Sequence, residues 1–313
     1  MSNELIELSN ALAQATDRAA AQLVAIHTES RGSASGIIWR PGVVVTAEHA
    51  LRRDEEIQMT LAGGRVASAT LVGRDPSTDI AVLKCAGAEA DTTEFGDPAT
   101  LKPGSLILVV GRTRASGPVA ALGVVSLVTA DRRNWTGASL APYIRLDVSL
   151  QPTAVGGAVV DTQGKIVGLA TPRFARFGAI AVPATAIHKV VDILLQKGRI
   201  PRGYLGVGLQ PIRLPVAIRE LLQADRKSDP KSSEQKTAVI VLEAHPGGPA
   251  DQAGVVIGDI IVALDGRAVS QPEDVQSLLV GDAIGKSLPI KLVRGGAIQS
   301  GNIAVAERPH RGE

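Results

Sequence analysis

Short apolar runs broken by glycine, proline and aspartate fill most of the first 200 residues. Val43-Val44-Val45, Ile80-Ala81-Val82-Leu83, Leu106-Ile107-Leu108-Val109-Val110, Val124-Val125-Ser126-Leu127-Val128 and Ile166-Val167-Gly168-Leu169 are of this kind. Runs this short and this regularly punctuated predict the strands of an all-β barrel or sandwich. Helical spacing appears on either side of them. Leu5, Leu8, Leu12, Ala15 and Ala19 share one face and predict an amphipathic helix at about 3–20. Such a helix packs on its own domain or meets a neighbouring subunit. Ile187, Val190, Val191, Leu194 and Leu195 make a second stripe at about 185–197, with Gly198 placed to stop it.

After a linker at 199–203 a second unit begins, expected to span 204–309. A polar insert, Ala224 to Lys236, is expected to be a mobile loop within it. One helix start is legible there: Ser270-Gln271-Pro272-Glu273 reads as a capping box, with Ser270 the cap and Glu273 reaching back. Val275, Leu278 and Leu279 supply that helix with an apolar face.

Composition narrows the picture. A chain of 313 residues predicts about two domains. Aromatic residues make up only 2% of it, so the core must be aliphatic, and Val-rich cores favour strands. A formal net charge of +2 predicts no broad attraction to nucleic acid or anionic membranes. Cys85 is the single cysteine, which excludes an internal disulfide, and its apolar surroundings predict a buried, inert thiol. No stretch is apolar enough for a membrane span. The N-terminus carries acidic residues early and lacks a continuous apolar core, so it does not read as a signal peptide. A cytoplasmic location is expected for the sequence as written, and a periplasmic or extracytoplasmic one if the N-terminus is trimmed. His27, His188, His245 and His310 are scattered without metal-ligand spacing, and neither metal nor cofactor is expected.

Three pieces of the first domain carry candidate chemistry. They are Val44-Val45-Thr46-Ala47-Glu48-His49-Ala50, Asp75-Pro76-Ser77-Thr78-Asp79-Ile80-Ala81-Val82-Leu83-Lys84, and the loop Asp147 to Val160. Singly, a histidine is more often structural, and an aspartate before a strand is usually a cap or turn. Together the three resemble the His, Asp and Ser segments of the high-temperature-requirement (HtrA/Deg) family of trypsin-like serine proteases. Ser35-Gly36-Ile37-Ile38, Gly64-Arg65, Phe95-Gly96-Asp97, Gly104-Ser105 and Ala181-Val182-Pro183 extend the likeness over nearly the whole chain. The resemblance implies a trypsin-like double six-stranded antiparallel β-barrel at 21–198, behind an N-terminal helix at 1–20. It makes His49 the base and Asp79 the residue that orients it. In that chemistry serine attacks the carbonyl, histidine takes its proton, and backbone N–H groups hold the oxyanion.

The third segment departs from the family. Where the resemblance expects Asn-Pro-Gly-Asn-Ser-Gly-Gly-Pro, this chain has Gln151-Pro152-Thr153-Ala154-Val155-Gly156-Gly157-Ala158. Val155 stands at the nucleophile position, and its side chain has no oxygen. Thr153 replaces a glycine of the oxyanion loop, to which Ala154 and Gly156 also belong, and a β-branched residue resists the backbone angles glycine permits. A vestigial triad and a pseudoprotease are expected.

The second unit resembles the α+β PDZ domain that follows the protease in this family. The resemblance rests on Gly203-Tyr204-Leu205-Gly206-Val207, on Pro246-Gly247-Gly248-Pro249-Ala250, on Gly258-Asp259-Ile260-Ile261 and on Leu264-Asp265-Gly266. It implies that Leu205, Gly206 and Val207, after Tyr204, cradle a peptide's terminal carboxylate while the peptide adds as an edge strand. Val275, Leu278 and Leu279 would wall the pocket for its last side chain. Arg173-Phe174-Ala175-Arg176-Phe177 falls beside the family's specificity pocket, and reads as a solvated loop with aromatic anchors or as a peptide clamp.

The expected role is binding of unfolded segments or C-terminal tails, as a chaperone, adaptor or regulator in protein quality control. The alternatives are an active HtrA-type serine endopeptidase and a structural subunit of a mixed oligomer. The family resemblance implies a homo-trimer or a hetero-oligomer with an active relative.

Overall fold

The computed structural model describes residues 2–27, 33–51, 57–89, 93–115, 117–129, 142–175, 177–225, 235–279 and 283–308. The chain forms two compact units that part between Ile200 and Pro201.

The first unit opens with helix α1 (Ser2–Ala20) and closes with α2 (Ala184–Lys197). Between them lie two barrels. One is closed in the order β1-β2-β3-β6-β5-β4, from β1 (Leu23–His27), β2 (Ser33–Arg40), β3 (Val43–Ala47), β4 (Ile57–Thr60), β5 (Val66–Asp75) and β6 (Ile80–Lys84). The other is closed in the order β10-β11-β12-β9-β8-β7, from β7 (Leu106–Thr113), β8 (Gly117–Thr129), β9 (Tyr143–Asp147), β10 (Ala158–Val160), β11 (Ile166–Thr171) and β12 (Ala179–Pro183). All pairs within both barrels are antiparallel. This is the double six-stranded barrel expected from the sequence.

The arrangement explains why the strands read as unbroken apolar runs. Successive side chains point to opposite faces, and both faces are buried. Ala81 and Leu83 fill the first barrel with Val24, Ile26, Val44 and Met59. Their neighbours Ile80 and Val82 join a separate cluster that also draws on the second barrel, through Val110, Val160 and Leu169. In the second barrel Ile107 and Val109 point inward, while Leu108 and Val110 point out to that shared cluster.

The helices seal this shared core. On α2, Ile187, Val191 and Leu194 are fully buried, and Gly198 ends the helix in the left-handed region at φ 70° with its N–H on Leu194 O. On α1 only the second half packs on its own unit: Ala15 and Ala19 are fully buried, whereas Leu5 and Leu8 are 70% and 45% exposed.

The second unit is a sheet in the order β14-β15-β16-β18-β19, from β14 (Val207–Arg213), β15 (Thr237–Ala244), β16 (Ile260–Leu264), β18 (Ser287–Arg294) and β19 (Ala297–Ala304). Strand β17 (Arg267–Ala268) pairs with β16, and β13 (Gly203–Tyr204) pairs with β20 (Ala306–Glu307). Three helices accompany it: α3 (Val216–Asp225), α4 (Pro249–Gln252) and α5 (Pro272–Leu278). Together these make the mixed α+β unit expected after the barrels.

Two local expectations are corrected. The cap of α5 lies one residue later than its sequence suggests. Pro272 lacks an N–H and fits the first helical position, so Gln271 is the cap. Asp274, not Glu273, reaches back, and its Oδ2 accepts from the N–H groups of Ser270 at 2.8 Å and Gln271 at 3.1 Å. The polar insert also starts later, because Ala224 and Asp225 end helix α3; residues 226–234 of it lie outside the described residues, as do Asp54-Glu55-Glu56, Arg176 and His310.

Candidate functional site

Strand β3 runs into a single 3-10 turn, Glu48–Ala50, that carries His49. The turn between β5 and β6 carries Asp79. Asp75 organises that turn from within. It is 3% exposed, and its carboxylate accepts from the Ser77 N–H at 3.2 Å, Ser77 Oγ at 2.6 Å and Thr78 Oγ1 at 2.7 Å. Asp79 follows at φ 58°, a left-handed conformation aspartate tolerates better than most residues.

The fully buried Asp79 carboxylate grips His49. Oδ2 lies 2.8 Å from the imidazole Nδ1, and Oδ1 lies 2.9 Å from the same nitrogen. Oδ1 also accepts from the His49 backbone N–H at 3.0 Å. An acceptor-only carboxylate on Nδ1 assigns the ring proton to that nitrogen. Nε2 is left as the basic atom, and it has no hydrogen-bond partner among the described residues. The third partner of Asp79 is Thr171, whose Oγ1 donates to Oδ2 at 2.5 Å and accepts from the Arg173 N–H at 3.1 Å.

The 147–160 loop is seated against the same strand. Gly156 has φ 79°, and a Cβ there would stand 2.4 Å from Ser35 O, 2.6 Å from Thr46 Oγ1 and 2.9 Å from Ala47 N. Only glycine allows that approach to the end of β3. Before it, Pro152–Ala154 form a 3-10 turn with Gln151 as cap and Val155 just after it, at φ −62° and ψ 129°. The turn uses its own donors: Ala154 N–H bonds Gln151 O at 2.9 Å, and Val155 N–H points to Pro152 O at 3.3 Å. Ser35 ties the turn down from behind. Its Oγ donates to Thr153 O at 2.6 Å and accepts from the Arg112 N–H at 2.8 Å, while its own N–H bonds Val155 O at 2.8 Å. Ala154 is 4% exposed and packs on Gly111. The N–H of Val155, which an oxyanion pocket needs free, is thus turned back into the loop.

A second candidate site lies in the other unit. Leu205 is 2% exposed, and Gly206 turns the chain at φ 77° into β14. Their carbonyls are occupied, Leu205 O by Ala250 N–H and Gly206 O by His245 N–H, both at 2.8 Å. Their N–H groups make no hydrogen bond to any described residue. Among the described residues strand β14 pairs only with β15, which leaves its other edge open. Leu205, Val275 and Leu279 are buried in one cluster, with Val207, Leu209 and Leu278 partly buried against it. Leu279 is also held by its backbone, its carbonyl accepting from Gly203 N–H at 2.9 Å. Unengaged donors, an open edge and an apolar wall therefore lie together around Leu205, Gly206 and Val207.

Residues 34–169 match the trypsin-like peptidase domain, and residues 203–305 match the PDZ domain. A probable periplasmic serine endoprotease, DegP-like, of Ectopseudomonas mendocina is 29% identical over 291 residues, covering 91% of this chain and 58% of its own length. The DegP-like protein of Brucella suis is 29% identical over 281 residues, covering 88% and 52%. The chain thus spans little more than half the length of these relatives. Among solved structures, the serine endoprotease from Yersinia pestis superposes with a TM-score of 0.71 at 25% identity, covering 95% of this chain and 97% of that one. The HtrA-type protease AlgW with decapeptide gives 0.74 at 23%, covering 95% and 99%, a likeness of fold.

The chain belongs to the HtrA family.

Several residues that shape this HtrA site carry no local sequence signal. Ser35 and Thr171 act across 118 and 92 residues of sequence, at Thr153 and Asp79. Glu48, beside His49, lies 3.5 Å from Arg74 and 3.4 Å from Arg173, linking the histidine turn to the segment after β11. That segment is anchored as well as exposed: Phe174 packs on the shared core and its carbonyl accepts from Tyr143 Oη at 3.3 Å, while Phe177 is 79% exposed. A cavity of about 480 Å³ lined by Phe95, Asp97, Thr100, Asp161 and Lys165 includes none of the site residues. Cys85 is 1% exposed, and burial is the main influence raising its thiol pKa, as an inert thiol requires. Among the described residues no cluster of three metal-ligating side chains occurs, and no helix is long and apolar enough to cross a membrane.

Proposed function

We propose that this HtrA-family chain binds peptides without cleaving them. The observation that carries the reading is Val155, standing where the family places its attacking hydroxyl. The basic Nε2 of His49 has no hydroxyl within hydrogen-bonding reach among the described residues. Removing the serine of a triad costs on the order of 10⁶-fold in turnover in the subtilisin case, which is about 8 kcal/mol of barrier. The inward-turned N–H of Val155 works in the same direction, since a tetrahedral oxyanion needs donors that are already aimed at it.

The binding half of the proposal rests on the PDZ unit. Two unengaged N–H groups at Leu205 and Gly206 suit a carboxylate, and the open edge of β14 suits an extended backbone. The ligand class is then a C-terminal tail or an unfolded segment with an apolar last residue. A role as adaptor, holdase or regulator in protein quality control follows from such binding, either as an assembly of its own or with an active relative.

A second reading, an active serine endopeptidase, draws on the relatives' names and on the intact His49–Asp79 pair. A fluorophosphonate probe separates the two. The purified chain should remain unlabelled under conditions that label an active HtrA protease. Covalent labelling, with the modified residue mapped, would establish a nucleophile and end the inactive reading.

A further inference from the structure

Glycine flanks Val207, the first residue of edge strand β14, on either side. Val207 and Leu209 pack toward the apolar cluster of their unit. Side chains alternate along a strand, so Gly208 looks to the opposite face. Its cross-strand partner on β15 is Glu243. A Cβ on Gly208 would stand 3.0 Å from Glu243 Cβ and 3.5 Å from Glu243 Oε2. The carboxylate therefore leans across the glycine toward the open edge. Two residues further along, a Cβ on Gly206 would meet His245 Cβ at 3.5 Å, and the His245 ring lies 6.3 Å from that of Tyr204. An ordinary side chain at 208 would screen this second row from anything lying on the edge. Glycine leaves a window. Glu243 is exposed and has no cationic partner among the described residues.

We infer that Glu243 selects a basic side chain at the penultimate position of the tail bound along β14. The inference rests on the peptide-binding reading above and deepens it. A tail whose carboxylate meets Leu205 and Gly206 runs back antiparallel to β14. Its last side chain turns to the face of Val207, where the apolar wall stands. The side chain before it must turn to the other face, beside Gly208, where Glu243 is the nearest charge. A lysine or arginine there supplies the cationic partner that Glu243 lacks among the described residues. The preferred ligand is thus a C-terminal tail ending in a cation followed by an aliphatic residue. The pair is solvent-exposed, so it sharpens selection rather than supplying most of the affinity.

The test is fluorescence anisotropy on the full chain at low salt. It uses decapeptides that end in valine and differ only in having Lys, Ala or Glu before it, plus an amidated copy of the Lys peptide. Lys should bind more tightly than Ala, and Ala more tightly than Glu, by about two- to fivefold per step, the range of an exposed ion pair. The order should flatten in high salt, vanish in Glu243→Gln and invert in Glu243→Lys. Equal affinities in the native chain, or an order that survives in Glu243→Gln, would overturn the inference while leaving the cradle in place. If no tail binds, or the amidated peptide binds as well as the acid, the cradle reading itself fails and takes the inference with it.

Discussion

Asp79 holds His49 by two of its groups, the imidazole Nδ1 at 2.8 Å and the backbone N–H at 3.0 Å. The aspartate is fully buried, so each donor it receives offsets the cost of keeping a charge out of water. Thr171 supplies a further donor at 2.5 Å. The valine variant keeps the shape of Thr171 and removes only that donor. Thr171→Val should therefore destabilise the chain by about 1–3 kcal/mol, the cost of leaving a buried acceptor short of a partner. Urea unfolding measures this. An unchanged midpoint would mean that the two bonds from His49 satisfy the carboxylate alone.

Placing a serine at position 155 should not by itself give a protease. Val155→Ser places an oxygen in the loop, but the Val155 N–H still points to Pro152 O and Ser35 still holds Thr153 O. The single variant should show little peptide hydrolysis. Adding Thr153→Gly and Ala154→Asn, the residues the family pattern has there, should raise it, because glycine frees the backbone that a β-branched residue stiffens. Casein hydrolysis, with fluorophosphonate labelling to count competent sites, compares the two. Equal rates in the single and triple variants would show that the 3-10 turn is no obstacle.

Gly156→Ala should be among the most damaging single changes in the first unit. The residue has φ 79°, and a new Cβ would stand 2.4 Å from Ser35 O, a backbone atom that cannot swing aside. Left-handed strain alone costs about 1–3 kcal/mol, and the clash adds to it. A melting temperature within a degree of the native chain would contradict this seating of the loop. The glycine matters whether or not the loop carries chemistry, since it seats the loop before β10 against strands β2 and β3 of the first barrel.

Much of this architecture was legible because chemistry and sequence coincide locally. The Asp75-to-Asp79 turn is written in adjacent residues, and so is the Gly203-to-Val207 turn into β14. The barrels were legible too, since a strand buried on both faces must read as an apolar run. What the sequence hid is whatever acts at a distance. Ser35 looks like an ordinary strand serine until the fold sets its hydroxyl between Thr153 and Arg112. Helix α3 was hidden by its composition, with only Leu222 deeply buried along it. The misplaced cap of α5 shows a local competition: Ser270 is the better capping residue by type, but Pro272 decides where the first turn begins. The apolar stripe of α1 is plain in its spacing, yet spacing cannot tell that its first half stays exposed.

Acid should weaken the first unit through a residue far from the site. His188, on α2, accepts a hydrogen bond at Nδ1 from Trp39 Nε1 at 3.1 Å. Indole nitrogen only donates, so Nδ1 must be unprotonated. Trp39 is 1% exposed and packs at a tilt against Phe95 and His188, at centroid separations of 4.3 and 4.8 Å. Burial, aided by Arg40 and opposed by Asp192, holds the His188 pKa below its ordinary value of 6.5. His27, bonded to Thr60, is lowered in the same direction by burial and Arg114. A histidine depressed in the folded state takes up its proton more readily when unfolded, so stability falls as pH drops below that value toward the folded pKa, and is fully present above it. The melting temperature should therefore decline from neutral pH through the range just below 6.5. In His188→Gln, whose amide oxygen can still accept from Trp39, the decline should be shallower but not absent, since His27 remains. An acid limb as steep as the native one would show that His188 carries none of it.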